Sequence, residues 1–141
     1  MIKPLFQRIV VGYNGSRSSL HTVLYAILMA KVYKCAVKVV SVVDTASIKY
    51  LTLQKFMVSQ EGESIAKSLE SDSEKNLDYV TDLAKSKGVK IETEIRKGAV
   101  WAEIITAADE FKADLILLGG AKNLDHLSSL SRDVISSQDS E

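Results

Sequence analysis

Four short aliphatic runs, each followed by a segment with helical periodicity, constrain the fold of this chain more than any other feature. The runs are RIVVGY (8–13), AVKVVSVV (36–43), VKIETEI (89–95) and DLILLGG (114–120). Val37, Val39 and Val40 make the second run too continuously apolar for a sheet with one wet face, so helices must cover both faces. A strand and helix unit repeated four times predicts an α/β fold with a doubly wound, Rossmann-like parallel sheet.

The segments between the runs predict helices from the spacing of their apolar residues. One helix is capped by Ser16 or Ser18 and runs to about Tyr33, others cover residues 62–86 and 98–114, and the last follows Asp125. The expected inward face of the first helix consists of Leu20, Val23, Leu24, Ile27 and Leu28. That of the helix over 62–86 consists of Ile65, Leu69, Leu77, Val80 and Ala84. That of the helix over 98–114 consists of Trp101, Ile104, Ile105, Ala108 and Phe111. Asp72 and Ser73 interrupt the second stripe, and Gly88 is expected to cap that helix. Residues 44–61 show no clean period and predict a long loop with room for a short helix.

The runs also predict where each strand lies in the sheet. VKIETEI alternates apolar and charged residues, which is how an edge strand avoids pairing with other chains. DLILLGG is fully apolar and is therefore expected at a central position. The sequence shows four strands, and no run after Gly120 predicts a fifth.

Length, charge and cysteine content restrict the class of protein. A chain of 141 residues predicts a single domain over residues 1–141. Lys plus Arg and Asp plus Glu are balanced at 18 each, which argues against nucleic acid or an anionic membrane as a partner. The single cysteine, Cys35, suits a reducing compartment and is expected to be a small buried residue. No apolar stretch approaches the roughly 20 residues of a membrane span and no signal peptide is visible, so we expect a cytoplasmic chain.

The strand ends predict the position of a ligand site. In doubly wound folds, ligands bind beyond the carboxyl ends of the strands, which here means residues 13–16, 42–45 and 119–122. After the first strand, Tyr13, Asn14, Gly15 and Ser16 form a tight turn into a helix whose free amides suit an anion, although Asn14 fits an Asx turn equally well. The chain has neither the P-loop nor the GxGxxG pattern.

The turn after the fourth strand raises the same alternatives. Gly119 and Gly120 allow backbone to approach a neighbouring group closely, and Lys122 either meets a phosphate or is simply solvated. On these residues alone, a tight exit from the strand is the favoured interpretation.

The order and spacing of these motifs resemble the universal stress protein family over nearly the whole chain. RIVVGYNGS and the helix and strand after it look like that family's opening, and IRKGAVWAEIITAADEFKADLILLGG looks like its Gly-x-x-x-x-Glu-Ile helix and following strand. The matching residues are Gly98, Glu103, Ile104, Ala113, Asp114, Leu115, Ile116 and Gly119. The resemblance implies an adenine nucleotide alpha hydrolase-like sandwich, a regulatory role in the stress response without enzymatic activity, and a homodimer.

The resemblance also implies where ATP or AMP would bind. ATP-binding relatives hold phosphates on a loop that reads Gly-x-x-Gly, a spacer, then Gly-Ser or Gly-Thr. Gly119 matches the first glycine, but Lys122 stands at the second, and Ser128 and Ser129 stand at the final pair after a shorter spacer. Asn14 replaces the family's aspartate near the adenine. An adenine contact then involves Asn14 and backbone near Val42 and Val43, with Lys122, Ser128 and Ser129 facing a mono- or diphosphate.

Three functions follow from these observations. The favoured one is a non-enzymatic regulatory domain that acts through self-association or an unknown protein partner. The second is a sensor that binds AMP, ADP or ATP. The third, an enzyme, has little support, because neither His21 nor His126 has a neighbouring acid or nucleophile that marks a triad. Relatives continue with a fifth strand where this sequence reaches Glu141. A fragment of a longer protein, a shortened chain, a module that takes a strand from elsewhere and the soluble part of a larger protein therefore all stay open.

Overall fold

The computed structural model, which describes residues 6–119, has a four-stranded parallel sheet with helices on both faces. Its elements are β1 (Arg8–Gly12), α1 (Arg17–Tyr33), β2 (Ala36–Val43), α2 (Thr45–Leu53), α3 (Ser59–Ser86), β3 (Glu92–Lys97), α4 (Val100–Phe111) and β4 (Leu115–Leu118). The strand order is β3-β2-β1-β4, and every neighbouring pair is parallel. The predicted doubly wound α/β fold is confirmed. The expected helix after Asp125 lies outside the described residues.

The helices divide between the two faces of the sheet. α1 and α3 pack on one face, where Val11, Val39 and Leu117 meet Ile27 and Val80 in the larger apolar cluster. α4 packs on the other face in a smaller cluster that includes Val10, Val40, Ile104, Ala107 and Phe111. Among residues 6–119, no helix combines the length and hydropathy that crossing a membrane requires.

The start of α1 and the position of Cys35 agree with the sequence. Ser16 caps α1, accepting a hydrogen bond from the backbone nitrogen of Ser19 at 3.2 Å. Cys35 is buried, and its thiol donates to the carbonyl oxygen of Phe6 at 2.8 Å. Burial, with a smaller contribution from Asp114, raises the pKa of this thiol, so it stays protonated near neutral pH.

Residues 44–61 contain the short helix for which the sequence left room, but they hold more helix than the predicted long loop. They hold the nine-residue helix α2, and α3 begins at Ser59 rather than at Gly62. Asp44 caps α2 by accepting from the backbone nitrogen of Ser47 at 3.0 Å, and Glu61 accepts from the backbone nitrogen of Val58 at 3.0 Å at the start of α3. The residues of α2 show no apolar periodicity because this helix contains no buried residue.

The two outer strands also differ from expectation. β3 is an edge strand as predicted, but it covers Glu92–Lys97 instead of residues 89–95. Val89 belongs to the turn after α3, where its backbone nitrogen donates to Ala84 at 2.9 Å, next to Gly88 at φ 77°. β4 pairs with β1, and within the described sheet it is the other edge, so the predicted central position is wrong for residues 6–119.

Several residues expected to face inwards are instead exposed. They are Leu28, Ile65, Leu69, Trp101 and Ile105. On α4 the buried stripe consists of Ile104, Ala107, Ala108 and Phe111, and the two alanines let this helix lie close to the sheet. Ile105 is about 100° around the helix from Ile104, so it lies on the flank at 56% exposure.

We expect Val39→Ala to lower the free energy of unfolding by about 2–3 kcal/mol, because it removes fully buried methyl groups and leaves a cavity. Val32→Ala on the exposed side of α1 is the matched control and should change stability by less than about 0.5 kcal/mol. Urea unfolding followed by circular dichroism measures both variants. Equal losses in the two variants would contradict the burial of β2 between two helical layers.

Candidate functional site

The carboxyl ends of β1 and β2 open into a cleft of about 420 Å³ that faces α3. The residues that line this cleft are Asn14, Gly15, Ser41, Val42, Asp44, Leu69, Asp72, Ser73, Lys75 and Asn76. The first two of the three predicted turns therefore meet at one cavity. Such a position, at the strand ends of an open α/β sheet, is where ligands bind in this architecture.

The turn after β1 is held by its own hydrogen bonds. The side-chain oxygen of Asn14 accepts from the backbone nitrogen of Ser16 at 2.9 Å and from the hydroxyl of Ser19 at 2.8 Å. Gly15 has φ 85°, which glycine adopts without strain. Asn14 therefore forms an Asx turn, and its carbonyl oxygen serves the start of α1.

The residues around the end of β2 differ in their access to the cleft. Val42 is half-buried and lines the cleft, whereas Val43 is buried in the core. Tyr13 is also a core residue, and its backbone nitrogen donates to Val40 at 2.9 Å. Burial, together with the nearby Tyr79, raises the pKa of Tyr13. Of the predicted site residues in these two turns, Asn14, Gly15 and Val42 line the cavity, whereas Tyr13 and Val43 are buried in the core and are not among its lining residues.

The sequence did not predict the wall that α3 contributes. Half of the cleft-lining residues belong to this helix, and they are Leu69, Asp72, Ser73, Lys75 and Asn76. The sequence feature that could have predicted this wall is the interruption of the apolar stripe of α3 by the polar residues Asp72 and Ser73. Ser73 is buried there, and the hydroxyl of Ser41 on β2 donates to its hydroxyl at 2.9 Å. The interruption marks the point at which α3 passes the end of β2.

Gly119 lies at the end of β4 against the first turn of α1. A Cβ atom at this position would come within 2.6 Å of the Ser19 nitrogen and 2.7 Å of its Cα. The close approach predicted for this glycine therefore involves the protein's own helix. Gly120, Lys122, Ser128 and Ser129, the other predicted phosphate contacts, lie outside the described residues.

The Gly98 and Glu103 motif has a structural role away from the cleft. A Cβ atom on Gly98 would lie 2.8 Å from a carboxylate oxygen of Glu103, and the other oxygen accepts from Arg96 Nε at 2.9 Å. Hydrogen bonds to Glu103 and then Glu110 raise the pKa of Arg96. This ion pair joins β3 to α4.

The chemistry of the cleft suits an uncharged, flat ligand group with polar edges. Val42 and Leu69 offer apolar contact, and amide and hydroxyl groups surround them. Asp72 and Lys75 bring one charge of each sign. Asp44 is engaged with Ser47, whose hydroxyl donates to it at 2.8 Å. In the part of the chain that the structure describes, no group of three or more His, Cys, Asp or Glu side chains is arranged to hold a metal ion.

Comparison with known protein sequences shows the family of this chain. Residues 5–139 match the sequence model of the universal stress protein family. The chain is 33% identical to Universal stress protein MJ0531 of Methanocaldococcus jannaschii over 115 residues. That match covers 82% of this chain and 65% of the relative, so the chain spans about two thirds of the relative's length.

Solved structures show the same fold. A universal stress protein family member from Burkholderia pseudomallei has a TM-score of 0.71 at 20% identity, covering 89% of this chain and 90% of its own. UspA from Lactobacillus plantarum has a TM-score of 0.68 at 16% identity, covering 97% and 90%. A universal stress protein in complex with cAMP has a TM-score of 0.58 at 27% identity, covering 80% and 75%.

The buried serine pair provides a test of the cleft wall. We expect Ser73→Ala to lower the free energy of unfolding by about 1 kcal/mol, because the Ser41 hydroxyl loses its buried partner. The double variant Ser41→Ala with Ser73→Ala should cost less than the sum of the single variants, since it leaves no unpaired hydroxyl. Ser68→Ala, exposed on α3, is the control. Strictly additive losses in denaturant unfolding would contradict the pairing.

Proposed function

The chain belongs to the universal stress protein family, and from this premise we propose that it is a regulatory domain of the stress response whose cleft binds an adenine nucleotide. The nucleotide acts as an effector and is not turned over. We further propose that the domain works in the cytoplasm as a homodimer. The observation that carries the proposal is the cleft at the ends of β1 and β2, because it combines apolar contact with uncommitted polar groups.

The contacts expected for a nucleotide follow from the cleft-lining residues. Val42 and Leu69 supply the apolar contact that a purine ring needs, and the turn at Gly15 lets the ligand approach the backbone. Lys75 is the cation among the cleft-lining residues of the described chain, and it suits a phosphate group. Lys122, Ser128 and Ser129 remain the predicted contacts for further phosphates. The cAMP-bound relative, at 27% identity, supports an adenine nucleotide as the ligand class.

An effector role requires that the nucleotide favour one state of the protein. A ligand in this cleft contacts the turn before α1, the end of β2 and the middle of α3. It therefore stabilises the arrangement in which these segments are together. We propose that this stabilisation controls self-association or partner binding.

Nucleotide binding is tested by mass spectrometry of small molecules released from purified protein and by titration calorimetry with AMP, ADP, ATP and cAMP. We expect Lys75→Ala to weaken AMP binding about fivefold, since it removes a cation from the cleft, and to leave adenosine binding nearly unchanged. Lys67→Ala, exposed on α3 and absent from the cleft lining, is the matched control. Protein that is empty and shows neither heat of binding nor a thermal shift with millimolar nucleotide would overturn the proposal.

An exposed apolar surface supports a second candidate function, self-association without nucleotide. This surface, which we term the α2 patch, consists of Tyr50, Leu53 and Phe56, which are 60%, 68% and 75% exposed. α2 packs against α3 and contains no buried residue. Exposed clusters of large apolar side chains mark sites of protein association. We propose a second copy of this chain as the partner at the α2 patch.

We expect the combined variant Leu53→Asp and Phe56→Asp to shift the protein from dimer to monomer, because two carboxylates cannot be buried in an apolar interface. Light scattering after size-exclusion chromatography measures the mass, and Ile105→Asp, exposed on α4, is the control that keeps the dimer. A wild-type protein that is monomeric over the whole concentration range, or a variant that stays dimeric, contradicts a homodimer at this surface. A different protein bound to the α2 patch would contradict it as well.

A further inference from the structure

We propose that Asn76 selects adenine over other purines, by pairing its side-chain amide with the 6-amino group and an adjacent ring nitrogen of the bound base. The inference rests on the proposed function. It deepens that function by assigning base specificity to one residue of α3.

The packing around Asn76 fixes its side chain at the wall of the cleft. Asn76 is half-buried and follows Ser73 by one helical turn. A Cβ atom on Gly15 would lie 2.8 Å from its amide nitrogen and 3.2 Å from its amide oxygen. The absence of a side chain on Gly15 therefore makes room for this amide. Its position is set by packing, which leaves its hydrogen-bonding groups available.

None of the other neutral polar side chains that the structure describes in the cleft offers both a free donor and a free acceptor, since the oxygen of Asn14 is engaged and leaves only its amide donors. The Asn14 oxygen accepts from the turn, and the Ser41 and Ser73 hydroxyls bond to each other. No side-chain hydrogen bond of Asn76 occurs among residues 6–119. Of the neutral cleft-lining groups in the described chain, Asn76 thus offers both an uncommitted donor and an uncommitted acceptor.

The chemistry of an amide matches the edge of adenine. Adenine places a donor, its 6-amino group, beside an acceptor ring nitrogen, and an Asn side chain places an acceptor beside a donor. Such a bidentate pair also discriminates between bases, because an analogue without the amino group leaves the amide oxygen unpaired. Asp72 and Lys75 offer only acceptors and only donors respectively, so neither makes this pair alone.

The test compares adenosine with purine riboside, which lacks the 6-amino group, on the full chain by titration calorimetry. Wild-type protein is expected to prefer adenosine about tenfold. Asn76→Leu keeps a similar side-chain volume beside Gly15 but has no amide. It should bind adenosine about tenfold more weakly and purine riboside within twofold of wild type, which removes the preference. Asp78→Ala, exposed on α3 and absent from the cleft lining, is the control that keeps the preference.

The outcomes separate this inference from the proposed function. Adenosine binding with an unchanged preference in Asn76→Leu overturns the role of Asn76 and leaves the proposed function intact. A third outcome is that both Asn76→Leu and the smaller Asn76→Ala weaken adenosine and purine riboside binding by the same factor. That result shows that Asn76 only shapes the cleft, which also overturns the inference. Wild-type protein that binds neither adenosine nor any adenine nucleotide overturns the inference and the proposed function together.

Discussion

The parallel pairing of β1 with β2 on one side and β4 on the other is the constraint on which the rest of the structure depends. Ile9, Val10 and Val11 are fully buried, so this strand contributes apolar side chains to both faces of the sheet. Parallel pairing also brings the carboxyl ends of all three strands to one edge. The turn at Asn14, the end of β2 and Gly119 lie at this edge because of that pairing.

The cleft depends on where the apolar packing of α3 stops. Leu77, Val80 and Ala84 attach the second half of this helix to the sheet, whereas Ser73 meets Ser41 through a single buried hydrogen bond. Two small hydroxyl side chains satisfy each other without filling the space that larger apolar residues would occupy. A continuous apolar stripe on α3 would instead pack this helix onto the end of β2 and fill the cleft.

The sequence predicted those parts of the structure that are set by local patterns. β2 and the cap at Ser16 follow directly from short stretches, and the turn at Gly15 follows from its glycine. α2 could not be predicted from periodicity, because none of its residues is buried. β3 begins at Glu92, later than predicted, because Val89 belongs to the turn after α3. The contribution of Asn76 to the cleft depends on a contact with Gly15 more than 60 residues earlier, which no single-sequence pattern records.

Asn14 stands where the family resemblance places an aspartate, and it forms the turn without that residue's negative charge. Its oxygen receives two hydrogen bonds from the segment that opens α1, so the neutral side chain maintains the turn without a negative charge. The cleft then carries Asp72 and Lys75 on α3 as its exposed charges of opposite sign. In the nucleotide complex that we propose, the charged contacts among the described residues therefore come from α3. The apolar cluster beyond the cleft and the hydrogen bond between Ser41 and Ser73 attach α3 to the sheet, so a ligand that contacts both β1 and α3 would add a further connection between this helix and the strand ends.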